Sequence, residues 1–344
     1  MRGFGSELSR RRPVLTLTPS TENSLSSSKS RSTWMVVVDS VSHISFDASM
    51  SVADIMHQMK EVGVLGAGRM GRATDIVTRM LGDPDCFTYL SMSGPMVPGG
   101  LRLVISHLVR EGWIDAIVTS GANIVHDLIE AYGGAHYRVP SGKSDQELRI
   151  GGMGRIADIF VKDEDFEKFE SEIHSFLETL PRAKRTLLAP SEFISELGAT
   201  LTDSSSIVRQ AYLNEVPIFS PGLMDSMLGF HMFTFSTTTE FSLDFVKDLR
   251  ILGSIVTETK KTGAIMLGGG LTKHFTMGST ILKGGLDMAV QITLDRPEGG
   301  SLGGAPLVEG VSWKKIQQAA LFETVIGDAT ILFPLLVLGA INRQ

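Results

Sequence analysis

The sequence predicts an α/β protein on a doubly wound, mostly parallel, Rossmann-like sheet with helices on both faces. Three observations carry this. From about residue 34 short apolar runs alternate with longer helical patterns, the rhythm of repeated βαβ units. Several runs are apolar throughout, as strands covered on both faces are. Most runs end in glycine, serine or aspartate, and open α/β sheets bind their ligands just outside such carboxyl ends.

Taken in order, "SVADIMHQMKEV" (51–62) is helical in pattern. "FTYLSM" (87–92) reads as a strand. "LRLVISHLVREG" then sets Leu101, Val104, Ile105 and Leu108 on one helix face. "DAIVTS" (115–120) is the next strand. "FEKFESEIHSFLETLP" aligns Phe166, Phe169, Ile173, Phe176, Leu177 and Leu180, and Pro181 closes that helix. The later strands are "VPIFSP" (216–221), "GAIMLGG" (263–269), "MAVQITL" (288–294) and "TVIGDA" (324–329). "ILFPLLVLGAI" (331–341) is too short to span a bilayer and reads as a buried C-terminal element. "VSWKKIQ" (311–317) looks like the start of a helix.

Residues 1–33 are rich in Ser, Thr and Arg and poor in acids. They read as a disordered or targeting-like tail, and 34–344 as one domain. No signal-peptide core precedes it, so the cytoplasm is the expected place. The 344 residues carry a formal charge of −6, which argues against nucleic acid as a partner. No membrane partner is expected either. The one cysteine, Cys86, excludes a disulfide framework. The eight histidines have no HExxH or comparable spacing, so no metal site is expected.

The strand ends collect Ser93-Gly94, Ser120-Gly121-Ala122, Asp225, Gly268-Gly269-Gly270, Asp295 and Gly327-Asp328-Ala329. Glycines let backbone approach a phosphate, and helix N-termini offer N–H donors. Several such turns in register predict a nucleotide crevice. "VGVLGAGRMGRA" (62–73) is a different matter. Its Gly66, Gly68 and Gly71 match the dinucleotide fingerprint, but a helical pattern precedes it and no acid ends the next strand. It reads as a helix-to-helix turn.

The C-terminal third holds Lys273, His274, Asp295, Glu298, Glu309, Trp313, Lys314 and Lys315 around a glycine-rich stretch. A lysine beside an indole can serve as a nucleophile through imine chemistry if it is desolvated. The simpler reading of the residues alone is a core-anchored Trp313 with two solvated lysines.

"SWKKI" resembles the SWGKI motif of the deoxyhypusine synthase family. "VTSGANIVHDLIEA", "GGMGRIADIFV", "VPIFSPGLMDSMLG", "MLGGGLTKHF", "VQITLDRP" and "GDATILFPLL" follow the family's order, closest to its archaeal branch. The resemblance implies an NAD-dependent transferase. NAD oxidises spermidine, the aminobutyl group passes through an imine on an enzyme lysine, and a lysine of the translation initiation factor 5A precursor receives it. It also implies a homotetramer. The attacking lysine falls on Lys315, with Lys314 and Lys273 as the other candidates. His274, Glu309 and Trp313 fall on amine-contacting positions, and Asp295 is a further candidate there. Ser120, Gly121, Ala122, Asp225, Gly269, Asp328 and Ala329 fall on the cofactor site. Four departures stand out. Lys314 replaces the family's glycine, Phe230 and Leu302 stand where eukaryotic members have aspartates, and Val125-His126 replaces a glutamate pair. The alternative readings are a related aminobutyl transferase acting on a small amine, of the homospermidine-forming type, and an inactive nucleotide-binding module. Intact Lys315, Trp313, His274 and Asp225 argue against the latter.

Overall fold

The structure is a computed structural model that describes residues 39–138 and 142–342; the expected tail, 1–33, lies outside the described residues. The strands are β1 (Cys86–Met92), β2 (Ala116–Thr119), β3 (Tyr137–Arg138), β4 (Met153–Ile156), β5 (Ile159–Lys162), β6 (Ile218–Phe219), β7 (Lys261–Leu267), β8 (Leu286–Thr293) and β9 (Ile316–Ile326). The helices are α1 (Val52–Val62), α2 (Leu65–Gly82), α3 (Arg102–Arg110), α4 (Gly121–Ala131), α5 (Asp145–Ile150), α6 (Asp163–Thr179), α7 (Pro190–Thr200), α8 (Ile207–Leu213), α9 (Met227–Ser236), α10 (Phe245–Glu258), α11 (Leu271–Ser279), α12 (Glu309–Ser312) and α13 (Ala329–Ile341).

The main sheet runs β6-β2-β1-β7-β8-β9, and every pairing in it is parallel. Counted by its own strands this is the order 3-2-1-4-5-6, in which the winding reverses beside the first strand. That reversal lies between β1 and β7. Every residue of β1 and β2 is buried, which is why these strands read as mostly apolar and not alternating. One large cluster packs α1, α2, α3, α4, α6, α7, α8 and α13 on the sheet, and a second packs α10 and α11 on its other face. Among the described residues no helix is long and apolar enough to cross a membrane.

Three expectations need correction, and one element is new. The glycines of "GAGRMG" lie inside α2, and the turn is one step earlier, where Gly63 caps α1 at φ 73°. A Cβ on Gly68 would overlap the Gly63 backbone, and one on Gly71 the Lys60 backbone, so these glycines let two helices cross closely. Next, "WKK" does not start a helix. Trp313 ends the single turn of α12, and β9 begins at Ile316. Then β9 itself is longer than its apolar end suggested, because its first half is an edge with exposed Gln318 and Ala319. Finally, a small antiparallel sheet, β3-β5-β4, was not anticipated. Its tight turn carries Ala157 at φ 51°.

A candidate active site at the carboxyl edge of the sheet

A cavity of about 880 Å³ opens at the ends of β1, β7, β8 and β9. Its wall includes Gly269, Asp295, Asp328 and Ala329, four of the residues singled out in the sequence. The glycine turn after β7 is pinned from both sides. Gly268 N–H donates to Ile292 at 2.8 Å, and Gly269 N–H donates to Ser93 Oγ at 2.8 Å. Gly268 and Gly270 hold φ of 74° and 69°, which side chains with a Cβ rarely adopt. A Cβ on Gly269 would overlap Gly303 of the glycine-rich loop. Asp328 caps α13 by accepting from Thr330 N–H at 2.8 Å. The positive end of that helix therefore points at the cavity wall. The turn at Ala157 and Asp158 also lines the cavity.

Ser120, Gly121, Ala122 and Asp225 form a neighbouring group at the ends of β2 and β6, outside the wall of that cavity. Gly121 sits so close to Ser226 Oγ and the Leu223 carbonyl that a Cβ would press on both. Asp225, exposed in the turn before α9, is thus held beside the start of α4. Gly222 of the same turn rests against Leu271, the first residue of α11. Asn123, which the sequence reading passed over inside "GANIVHD", links the two groups. Its side chain donates to Gly94 O at 3.1 Å and Thr119 Oγ1 at 3.2 Å, and accepts from Val97 N–H at 3.3 Å. It stands two residues after the strand-end Gly121, and nothing in that placing marks it in the sequence. Asp127 of the same motif is structural. It is buried, bound by Arg102 and by Ser206, Ile207 and Val208.

Lys273 touches the glycine-rich loop, and Lys315 is near enough to act on its charge. Lys273 is buried, and its ammonium donates to Gln291 Oε1 at 2.9 Å, Leu302 O at 3.1 Å and Ala305 O at 2.6 Å. All three of its protons are engaged, so it ties the loop to the sheet. Burial pushes its pKa down to about 8, Glu309 and Asp295 oppose the fall, and Lys315 adds to it. Burial and then the charge of Lys315 lower the pKa of His274 as well. Lys315 Nζ stands 5.7 Å from the centroid of the Trp313 ring, within cation–π range. Trp313 is 69 % exposed, so the core-anchor reading of this residue fails. Its neighbour Lys314 sits at φ 56°, in the left-handed region. The backbone of Lys315 is fixed on both sides, its N–H donating to Gly310 O at 2.8 Å and its carbonyl accepting from Leu286 at 3.0 Å. Glu309 lies exposed at the start of α12.

The positions that depart from the resemblance are also placed. Phe230 and Leu302 are half exposed. Val125 and His126 are buried in α4, where His126 Nδ1 lies 2.9 Å from His136 Nε2.

The family model for deoxyhypusine synthase matches residues 54–340. The chain is 46% identical over 308 residues to a probable deoxyhypusine synthase of Methanothermobacter thermautotrophicus, covering 90% of this chain and 100% of that one. It is 43% identical to a probable deoxyhypusine synthase of Methanopyrus kandleri, covering 87% and 96%. A crystal structure assigned to a deoxyhypusine synthase of Entamoeba histolytica has the same fold, with a TM-score of 0.60, 22% identity, and coverage of 86% and 95%. The chain belongs to the deoxyhypusine synthase family and is a transferase.

Proposed function

We propose that the protein transfers the aminobutyl group of spermidine to a lysine of the translation initiation factor 5A precursor, with NAD as cofactor and Lys315 as the covalent carrier. The observation that carries the reading is the presence of a strand-end cavity together with a lysine–indole contact in one chain. The cavity suits a dinucleotide. A helix N-terminus faces it, a glycine turn leaves backbone open to close approach, and Asp328 in its wall is an acceptor of the kind that holds ribose hydroxyls, with Asp225 in the neighbouring group outside the wall as a second.

NAD, when bound, supplies the hydride acceptor and later the donor. The chain's own residues do the rest. Trp313 offers a face for the methylene chain and one ammonium of the amine. Glu309, with Asp295 nearer the cavity, supplies negative charge. His274, whose pKa is lowered by desolvation and by the charge of Lys315, is suited to accept a proton from the amine at its ring nitrogen. Lys315, fixed by its backbone, is the nucleophile. Ser120, Gly121, Ala122, Gly269, Asp328 and Ala329 frame the cofactor. A homotetramer in the cytoplasm accords with this reading. The exposed side chains Met224, Met227, Phe230 and Phe233 on one stretch around α9 are the kind of surface a second copy covers.

The test is incubation with butyl-labelled spermidine and NAD, with and without the factor precursor, followed by borohydride trapping. Release of diaminopropane, label on Lys315 and its passage to the precursor are expected. The half-exposed Phe230 and Leu302 favour a second reading for the acceptor. Label that passes to free diamines and never to the precursor would establish the homospermidine-type activity instead. A protein that releases no diaminopropane and traps no label would defeat both.

A further inference from the structure

Away from the cavity, three side chains of two helices converge on one point. Glu170 and His174 stand four residues apart on α6 and so share a face. His231 comes from α9, which packs on α6. The candidate donor atoms of all three lie within 4.8 Å of one another. The His174 and His231 rings meet edge to face at 5.5 Å. His231 is 3 % exposed, yet its Nδ1 makes no hydrogen bond. The nearest anionic atom is Glu170 Oε1 at 3.9 Å, too far to be a hydrogen bond.

A buried nitrogen without a partner is costly and calls for an explanation. The neutral imidazole is the form that binds metals. Phe169 and Phe230 pack edge-on against His231 at 5.7 and 5.9 Å, so the nitrogen is walled by apolar rings. On the open side Glu170 is 56 % exposed and free to swing inward.

We infer that Glu170, His174 and His231 bind a divalent transition-metal ion of the zinc class. Two imidazoles and one carboxylate are a ligand set that zinc accepts, with a fourth place left for solvent. Bonds of about 2.0–2.2 Å bring tetrahedral donors to about 3.3–3.5 Å apart, and a rotamer change of Glu170 closes the gap from the present spacing. The ion would clamp α6 to α9. Since α9 starts directly after the Asp225 turn, the clamp would also stiffen the base of that turn. The sequence gives no motif for it because the third ligand comes from a separate helix.

The test is a titration of chelator-stripped full-length protein with Zn²⁺ and, separately, Co²⁺. One ion per chain at micromolar affinity is expected, with visible Co²⁺ bands and a higher melting temperature in Zn²⁺. His231→Ala should abolish binding. Because that change is buried, Glu170→Gln and His174→Gln provide the second arm. Each should weaken binding at least about tenfold, with the metal-free melting temperature little changed. His136→Gln, in the other histidine pair, should bind as the wild type does. Failure of the wild type to bind at micromolar Zn²⁺ overturns the inference. So does binding that survives Glu170→Gln combined with His174→Gln, or binding lost through His136→Gln.

Discussion

Lys315 Nζ stands over the indole of Trp313 at 5.7 Å, and both side chains leave the backbone at the junction of α12 and β9. One ring can therefore hold the amine and the lysine that attacks it. Trp313→Ala is expected to lower kcat/KM for spermidine roughly 2- to 30-fold, the equivalent of about 0.5–2 kcal/mol, with Trp313→Phe between the two. Lys315→Ala should trap no label after borohydride. Label on Lys314 in that variant would move the nucleophile one residue.

Lys314 holds φ 56°, a conformation that costs a residue with a Cβ about 1–2 kcal/mol. Lys314→Gly should stabilise the protein, by about 1 kcal/mol once the greater freedom of unfolded glycine is set against it. Urea unfolding of both proteins measures this. A Lys314→Gly protein less stable than wild type would mean the lysine side chain makes a contact that outweighs the strain.

Lys273 engages Gln291, Leu302 and Ala305. Lys273→Met leaves one buried and two part-buried acceptors without this donor, and a loss on the order of 1–3 kcal/mol is expected. The loop at 302–305 should open first, seen as faster amide exchange there than in β1. If Lys273→Met keeps the loop protected but still traps label normally, the lysine is neither a tether nor a carrier.

Cofactor binding should separate the two glycine-bearing regions. Asp225→Ala is expected to weaken NAD roughly 10- to 100-fold, the loss of a charged acceptor. Gly68→Ala and Gly71→Ala should cost about 1–3 kcal/mol of stability through overpacking, while the folded fraction binds NAD as before. Calorimetric titration of the three variants decides. NAD affinity lost in folded Gly68→Ala would return the fingerprint to the cofactor.

Burial raises the pKa of Asp248 from 3.8 to about 6, against the hydrogen bonds from Ser191. The folded state therefore binds this proton more tightly than the unfolded chain does. The stability it contributes is full below about pH 4 and is lost as pH rises through about 6. Asp248→Asn should match wild type near pH 4 and exceed it at pH 8, by up to about 3 kcal/mol. Denaturant melts at the two pH values measure the difference.

The legible parts of the fold were those whose burial is uniform. β1, β2 and most of β7 are covered on both faces, and their sequences are correspondingly mostly apolar, without alternation. β4 and β5 are short and partly exposed, so they left no comparable trace. The chain through Trp313 and Lys314 contains no glycine or proline, and its reversal is imposed by what surrounds it rather than by local preference. At the site, Gly269 and Asp328 could be read because strand ends have their own vocabulary of residues. Asn123 could not be told from any polar helix residue until its two loops were seen together. The convergence of Glu170, His174 and His231 belongs to helix packing, which no spacing along one helix records.

The central place of β1 bears on how the chain is made. β1 pairs with β2 on one side and with β7 on the other, Cys86 opposite Lys261 and Met92 opposite Leu267. During synthesis the first half of the protein emerges with one side of its middle strand unsatisfied, and it stays so until residue 267 has been translated. An open apolar edge of this kind invites other strands. A nascent chain halted before Lys261 would therefore depend on chaperones to stay single, and a ribosome pause in that interval would be more hazardous than one after it.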